Sequence, residues 1–228
     1  MNYIETCKEI IKTPSDFYRK MSTTGGYTDP LTFAAISYLI YGILSVLVAY
    51  GRLKIGWGFS FGPSTIDVVG SWEVIILNSM YNGLGWSFIL GPSIIGGPHS
   101  WNWGFIIYVY MLAIPVLGIC FASIKAKVQY PIYKIFGGTG SDEGTFRVIF
   151  YTAAVMVLSW IPILGLILSI YSLYLNIVGG MIVHKVSMWK STVAVLISIV
   201  LSAIVMLVLF ALGLVIAVYL INGEFRWH

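Results

Sequence analysis

The side chains that could perform catalysis or bind a metal are few in this sequence and far apart. Asp67, Glu73 and His99 lie between two apolar segments, and an enzyme acting on lipids would have to use them. Charged residues at the rim of a membrane protein explain the same pattern more simply. His99, His184 and His228 are too scattered along the chain to form a metal site. We therefore expect no catalytic residue, metal or cofactor.

A glycine-rich turn is the second candidate site. Residues 137–140 read Gly-Gly-Thr-Gly, but a phosphate-binding loop needs a preceding strand and a following Gly-Lys-Ser/Thr, and this sequence has neither pattern. Ser141 has the position of a helix N-cap, with acidic residues in the first turn behind it. Because the turn is polar and lies between apolar segments, we interpret it as a partner-docking turn. Its residues are Gly137, Gly138, Gly140, Asp142 and Glu143.

The composition indicates that these residues are carried by membrane helices. Only 10% of the 228 residues are charged and 58% are hydrophobic, and the mean hydropathy is +0.89. A soluble protein of this length has too much surface to cover with so few charges. The fold class is therefore an all-α integral membrane protein, with the lipid bilayer as a partner. The net charge of +4 is mild and does not indicate nucleic-acid binding.

Five apolar segments are long enough to cross a bilayer. The uncharged run 148–183 would be about 54 Å long as one helix, which exceeds a core of about 30 Å, so we divide it at Pro162 and Gly165. The last segment is too long for an upright span and should tilt or project, and Pro115 should kink the second. The predicted transmembrane helices are residues 31–50, 103–124, 145–161, 163–183 and 192–221.

Three segments complete the predicted organisation. Residues 1–30 form two short amphipathic helices, with Thr13 as cap and Pro14 at the first position of the second. They lie on the membrane surface or pack against the ends of the other helices, and the sequence favours neither. Residues 51–102 form an outer cap, as an interfacial or re-entrant segment between the first and second spans. Residues 222–228 form a C-terminal tail.

The distribution of Lys and Arg predicts the topology. With five spans and a cytoplasmic N-terminus, ten of the thirteen basic residues are inside, whereas a sixth span before Trp103 would leave five. Five spans therefore satisfy the positive-inside rule better. The protein is predicted to be multi-pass, with a cytoplasmic N-terminus and an extracytoplasmic C-terminus. Residues 125–147 then form an inner loop, and His184 is solvated at the inner end of the fourth span.

Small and polar residues follow helical spacing in the last two spans. Such residues let helix backbones approach closely in lipid and form hydrogen bonds between helices. No charge accompanies them, so helix packing is favoured over a path for a solute. Asn176 should find a partner on a neighbouring helix. The stripe residues are Ser169, Ser172, Asn176, Gly180, Ser198 and Ser202.

The ordered motifs resemble the Yip-one (Ypt-interacting protein) domain family in its prokaryotic form. They are TPSDFYRKM and DPLTFA near the start, IYKIFGGTGSDEGTFRVIFYTAAV at the glycine turn, and WIPILGLILSIYSLYLNIVGGMIVHKVSMWKSTVAVLI. The resemblance implies five spans, a cytoplasmic N-terminus and an outer C-terminus. Eukaryotic members are linked to Rab-type GTPases and vesicle trafficking. The DLYGP signature is absent here and GY-x-x-x-P is not kept, since Tyr151 follows Phe150 and position 155 is Val. A small GTPase is therefore a doubtful partner.

The sequence favours a non-enzymatic membrane scaffold or adaptor that binds another membrane protein or a second copy of itself. The resemblance adds membrane organisation or a trafficking-like process. The alternative is a channel or facilitator for a small neutral or weakly polar solute, using Ser169, Ser172 and Asn176. A lipid enzyme ranks third.

Overall fold

The computed structural model describes residues 2–55 and 103–224, and every regular element in these two ranges is helical. The predicted outer cap beyond Ile55 lies outside them, as do Asp67, Glu73, His99 and His228. The helices are α1 (Tyr3–Lys12), α2 (Pro14–Lys20), α3 (Thr28–Ile55), α4 (Trp103–Ile135), α5 (Asp142–Thr152) with a 3-10 continuation (Ala153–Leu158), α6 (Pro162–His184) and α7 (Met188–Glu224).

The two N-terminal helices pack into the bundle. Ile10 and Tyr18 are buried, and the Tyr171 hydroxyl of α6 donates a hydrogen bond to the Ile11 carbonyl at 2.7 Å. Of the two arrangements left open by the sequence, the structure shows packing against other helices. Pro14 begins α2 as predicted, but the Thr13 hydroxyl donates to the Glu9 carbonyl at 3.2 Å and forms no side-chain cap.

Helix α4 is longer than the second predicted span. The sequence interpretation made 125–147 a loop, which is wrong, because α4 continues to Ile135 and α5 begins at Asp142. The reason is a buried face that continues past the first charged residue. Ala122, Ala126, Gln129 and Tyr133 recur at helical spacing and are all buried. The connection is therefore only residues 136–141. The end of the second span at residue 124 stays a prediction.

Helix α5 lies at the centre of the described bundle. Every residue from Gly144 to Thr152 is buried. One face, including Val148 and Tyr151, packs with α2 and α6, whereas Phe146 and Phe150 pack with α3 and α4. The predicted break is present, because the 3-10 segment ends at Leu158 and α6 begins at Pro162. The glycine turn is thus attached directly to the helix that organises the core.

Two segments of the described helices are long and apolar enough to cross a membrane. They are Ile167–His184 in α6 and Met188–Gly213 in α7. Helices α3 and α4 cover the first and second predicted spans, and α5 with its 3-10 continuation covers residues 145–158 of the third. The arrangement of five spans stays a prediction.

Candidate partner-docking site

The glycine turn begins with a regular helix C-terminus. Gly137 has a φ of +81°, a left-handed conformation that glycine adopts without steric cost. Its N–H donates to the Lys134 carbonyl at 3.0 Å, and the Gly138 N–H donates to the Tyr133 carbonyl at 2.8 Å. These two bonds form a Schellman motif, which satisfies the last carbonyls of α4. The direction in which the chain leaves α4 is therefore fixed locally.

The turn packs against the C-terminal end of α6. The Thr139 N–H donates to the His184 carbonyl at 3.0 Å. A Cβ on Gly140 would lie 2.6 Å from the Val183 carbonyl oxygen and 2.7 Å from His184 Nδ1. Only glycine permits this close approach. Gly138 and Gly140 therefore face the bundle, whereas Gly137 and Thr139 are exposed.

His184 is the buried support of the turn. Its side chain is fully buried, so the expectation of a solvated histidine is wrong. The ring stacks on Tyr133 with centroids 4.1 Å apart and an interplanar angle of 13°, and Nε2 lies 2.8 Å from the Thr145 hydroxyl of α5. His184 thus joins the ends of α4, α5 and α6. Sequence reasoning missed this role because it read the histidine only as the end of a span.

The two acidic residues of the predicted docking turn bind the chain's own N-terminal loop. Glu143 Oε1 accepts hydrogen bonds from the Gly26 N–H at 2.7 Å and from Arg147 Nε at 3.1 Å. Asp142 Oδ2 accepts from the Tyr27 hydroxyl at 3.2 Å and also pairs with Lys127. Ser141 is the predicted N-cap and accepts from the Gly144 N–H at 3.0 Å. The carboxylates are therefore engaged inside the molecule.

Arg147 completes the attachment of this loop. Its guanidinium donates to the Gly26 carbonyl at 2.7 Å and is 3.1 Å from Glu143, with the residue only 5% exposed. Gly25 and Gly26 both have positive φ, which lets the loop bend over α5. The spacing of Glu143 and Arg147 by four residues was the available signal. Together, loop residues 22–27 and the exposed Gly137 and Thr139 form one loop–turn surface.

The predicted stripe of small and polar residues lies between helices. Asn176 Nδ2 donates to the Thr152 hydroxyl oxygen of α5 at 3.3 Å and to the Ser172 carbonyl at 3.0 Å. The Ser169 and Ser172 hydroxyls donate to carbonyls of α6 itself. Gly180 makes room for the Tyr133 hydroxyl, which a Cβ there would overlap. These residues are positioned for packing within the bundle.

The stripe of α7 contacts both α4 and α6. The Ser198 hydroxyl donates to Gln129 Oε1 at 3.3 Å, and Ser191, one of the flanking small residues, lies 3.0 Å from the Tyr133 hydroxyl. Ser202 is half-buried, and its hydroxyl has no hydrogen-bond partner within the described ranges. The Ser191 hydroxyl also donates to the Ile177 carbonyl of α6 at 2.7 Å, and Tyr133 packs against Gly180, so the two stripes meet at Tyr133.

A small cavity lies beside Asn176. Its volume is about 10 Å³, which is about the space that one water molecule needs. The buried Lys125 contributes to it, although the sequence placed this residue in a loop. The lining residues are Tyr38, Ala122, Lys125, Ile149, Thr152, Ala153 and Asn176. In residues 2–55 and 103–224, no group of three or more His, Cys, Asp or Glu side chains could hold a metal ion.

The described helices, their apolar segments and the neutral hydrogen bonds between them define a helical membrane protein. Residues 8–212 match the Yip1 domain, and the chain belongs to this family. The match includes the glycine turn, both stripes and most of the N-terminal helices. No curated protein and no solved structure matches the chain.

Proposed function

We propose that this Yip1-domain protein is a non-enzymatic membrane scaffold or adaptor that binds another membrane protein or a second copy of itself through the loop–turn surface. The proposal rests on one observation: the turn is exposed to solvent, but its contacts with the end of α6 hold it in place. Gly137 and Thr139 are exposed, while the neighbouring glycines are fixed against His184. A preorganised surface loses little conformational entropy when a partner binds.

The internal bonds of Asp142 and Glu143 refine the proposed surface. Because both carboxylates accept bonds from loop 22–27, a partner meets the loop and the turn as one unit. The carboxylates hold the loop in position through these hydrogen bonds and do not themselves contact the partner. Direct recognition then depends on Thr139, Gly137 and the exposed loop residues.

The alternative, a channel or facilitator for a small solute, has less support. The polar atoms of Ser169, Ser172 and Asn176 are bonded within the bundle, and the cavity beside them has a volume of about 10 Å³. Flux of ions or small neutral solutes into proteoliposomes, abolished by Asn176→Leu, would favour the channel over the scaffold.

Photo-cross-linking in native membranes tests the scaffold. A photoreactive amino acid at Thr139 should give discrete protein adducts, and the same probe at the exposed Lys8 of α1 is the matched control. Thr139 adducts should weaken when Glu143→Ala removes the acceptor of the Gly26 N–H and releases the loop. The proposal fails if Thr139 gives no adducts and the protein is a monomer in mild detergent, or if both positions give the same adducts.

We also propose the multi-pass topology with the N-terminus and the glycine turn in the cytoplasm and the C-terminus outside. It is supported by the position of the basic residues. Single cysteines at Thr139 and at Gly223, in a chain with Ser at positions 7 and 120, should react with a membrane-impermeant maleimide from opposite sides. Labelling of both from one side would contradict this topology.

A further inference from the structure

We propose that the end of the bundle next to the glycine turn is a binding site for anionic phospholipid headgroups. The site is a lysine–tryptophan patch, which goes beyond the scaffold role because it binds lipid and not a protein. Its residues are Lys134 and Ile135 of α4, Lys185 after α6, and Met188, Trp189 and Lys190 of α7.

The ends of α4 and α6 and the start of α7 meet at this patch. Lys190 Nζ donates to the Phe136 carbonyl at 3.3 Å, which joins the start of α7 to the end of α4. The Thr139 N–H donates to the His184 carbonyl, immediately before Lys185. Lys134 is in the last turn of α4, and its ammonium lies 5.3 Å from the Tyr130 ring centroid. Lysines from three elements therefore surround one turn.

The apolar part of the patch is unusually exposed. Ile135 is 81% exposed, Trp189 76% and Met188 53%. Leaving side chains of this size in water is unfavourable, in proportion to their apolar area. Since they are adjacent to the lysines, the occupant must offer both apolar and anionic groups.

The exposed face of α7 indicates that the occupant is the bilayer. Large apolar side chains follow Trp189 down this helix at spacings of seven, four, four and three residues, which keep them on one face. The apolar segment of α7 begins at Met188, and that of α6 ends at His184. The patch is therefore at the level of the headgroups, where Trp and Lys are both enriched. The exposed residues of this face are Trp189, Leu196, Val200, Ile204 and Leu207.

The charge of the patch selects anionic lipid over zwitterionic lipid. Within the described ranges, none of the three lysines forms an ion pair with a carboxylate, so their charge is available to lipid phosphates and anionic headgroups. The ion pairs that do occur there are Lys20–Glu9, Lys127–Asp142 and Arg147–Glu143.

Lipid binding to the full chain in mild detergent tests the proposal. Native mass spectrometry would measure the dissociation constants of phosphatidylglycerol and phosphatidylcholine. The patch variant is Lys134→Gln with Lys185→Asn and Lys190→Gln, where Asn suits the left-handed backbone of Lys185 (φ 54°). The control removes the same charge from α1 and α2 with Lys8→Gln, Lys12→Gln and Lys20→Gln. Thermal unfolding would verify that both variants are folded.

Wild type should bind phosphatidylglycerol more tightly than phosphatidylcholine. The patch variant should weaken phosphatidylglycerol binding by about tenfold or more, since each lysine near an anionic surface contributes about fivefold, while the control changes it by less than about threefold. Equal weakening in both variants would mean that only net charge matters, and would overturn the site. Equal binding of both lipids to wild type would also overturn the site. The same conclusion would follow if the patch variant lost an acidic protein partner while its lipid binding stayed unchanged. Cross-linking from Thr139 should persist in the patch variant, which separates this proposal from the scaffold.

Discussion

Helices α6 and α7 are adjacent and both apolar, but they relate to the bundle in opposite ways. The apolar segment of α6 has a mean hydropathy of 1.6 and is 61% buried, whereas that of α7 has a mean hydropathy of 3.1 and is 18% buried. The less hydrophobic helix is the more buried one. Lipid tails are as apolar as these side chains, so an apolar side chain gains little free energy when it moves from lipid into a helix–helix interface. Small and polar residues therefore determine which helix surfaces associate.

The buried residues of α7 lie in its first turns, and further along Met206 is partly buried against the core formed by α3, α4 and α5. Ser191, Ala194 and Ser198 are buried, and all three face α4 or α6. Further along, Gly213 has no heavy atom within 4 Å of the position that a Cβ would take. Gly180 of α6 is the opposite case, because the Tyr133 hydroxyl occupies that position. Glycine thus has a packing role only where a neighbouring helix is close.

Substitution of these two glycines tests the comparison of α6 with α7, and it should give the largest effect of the variants considered. Gly180→Leu should lower the free energy of unfolding by about 3 kcal/mol, because the added side chain overlaps Tyr133 in a packed core. Tyr133 also bonds Ser191 and stacks on His184, so it has little freedom to move. Denaturant titration in bicelles would measure the change.

Gly213→Leu is the matched control, since it makes the same change in an open position of α7. It should leave stability unchanged or raise it by up to about 1 kcal/mol, because glycine disfavours a helix interior. Similar destabilisation by both substitutions would show that the distal part of α7 is also packed, and would remove the contrast.

The buried ion pair of α5 is the second test of the packed end of the bundle next to the glycine turn. Arg147→Ala should cost about 2 kcal/mol, because it leaves the carboxylate of Glu143, whose side chain is 20% exposed, without its charged partner. Lys20→Ala is the control and should cost less than about 0.5 kcal/mol, since the Lys20 side chain is 74% exposed in its pair with Glu9. Equal losses in thermal unfolding would show that loop 22–27 does not depend on Arg147.

A third pair of variants tests how far the packed region extends into α7. Ser191→Ala removes the bonds to Tyr133 and to the Ile177 carbonyl at 2.7 Å and should cost about 1 kcal/mol. Thr192→Ala is the control, because the exposed Thr192 hydroxyl bonds only the Met188 carbonyl of its own helix. A larger loss for Thr192→Ala would place the packed face of α7 one residue further along the chain.

Sequence patterns predicted the elements of the fold better than their contacts. The uncharged run around Pro162 correctly predicted a break, and the spacing of Asn176 and Gly180 correctly placed them on one face. The assumption that the helix ends at the first charged residue failed at Lys125, because this lysine is buried in a helix whose packed face continues to Tyr133. Consequently the sequence interpretation assigned Tyr133, the partner of Gly180, to a loop.

Only those features of the candidate site that depend on residues close together in the sequence were predictable. Ser141 as N-cap and the first-turn acids follow from helix-capping rules. The bonds from Gly26 and Tyr27 to these acids join residues more than 110 positions apart, and no local pattern indicates them. The burial of His184 is likewise a tertiary property, since it depends on glycines at two positions of a distant turn.

The smallest expected effect concerns the exposed pair of Lys127 and Asp142, next to the glycine turn. The hydrogen bond with Asp142 raises the pKa of Lys127 above its usual 10.5. A pKa that is higher in the folded state means that the stabilisation is complete below about pH 10.5 and is lost as the pH rises through the folded pKa. Because the Lys127 side chain is 65% exposed, the stabilisation should be at most about 0.5 kcal/mol.

Lys127→Gln should therefore be less stable than wild type at pH 8, and the difference should shrink as the pH rises past 10.5 and through the raised pKa of Lys127. Burial and the nearby Asp142 also raise the pKa of Tyr27, so wild type loses stability in the same range. The exposed Lys12, which has no ion pair within the described ranges, provides the control variant Lys12→Gln. Residues 191–218 of α7 carry no titratable side chain, so this pH response reports on the end of the bundle next to the glycine turn. A difference that stays unchanged as the pH rises through this range would show that Lys127 acts through packing of its aliphatic stem.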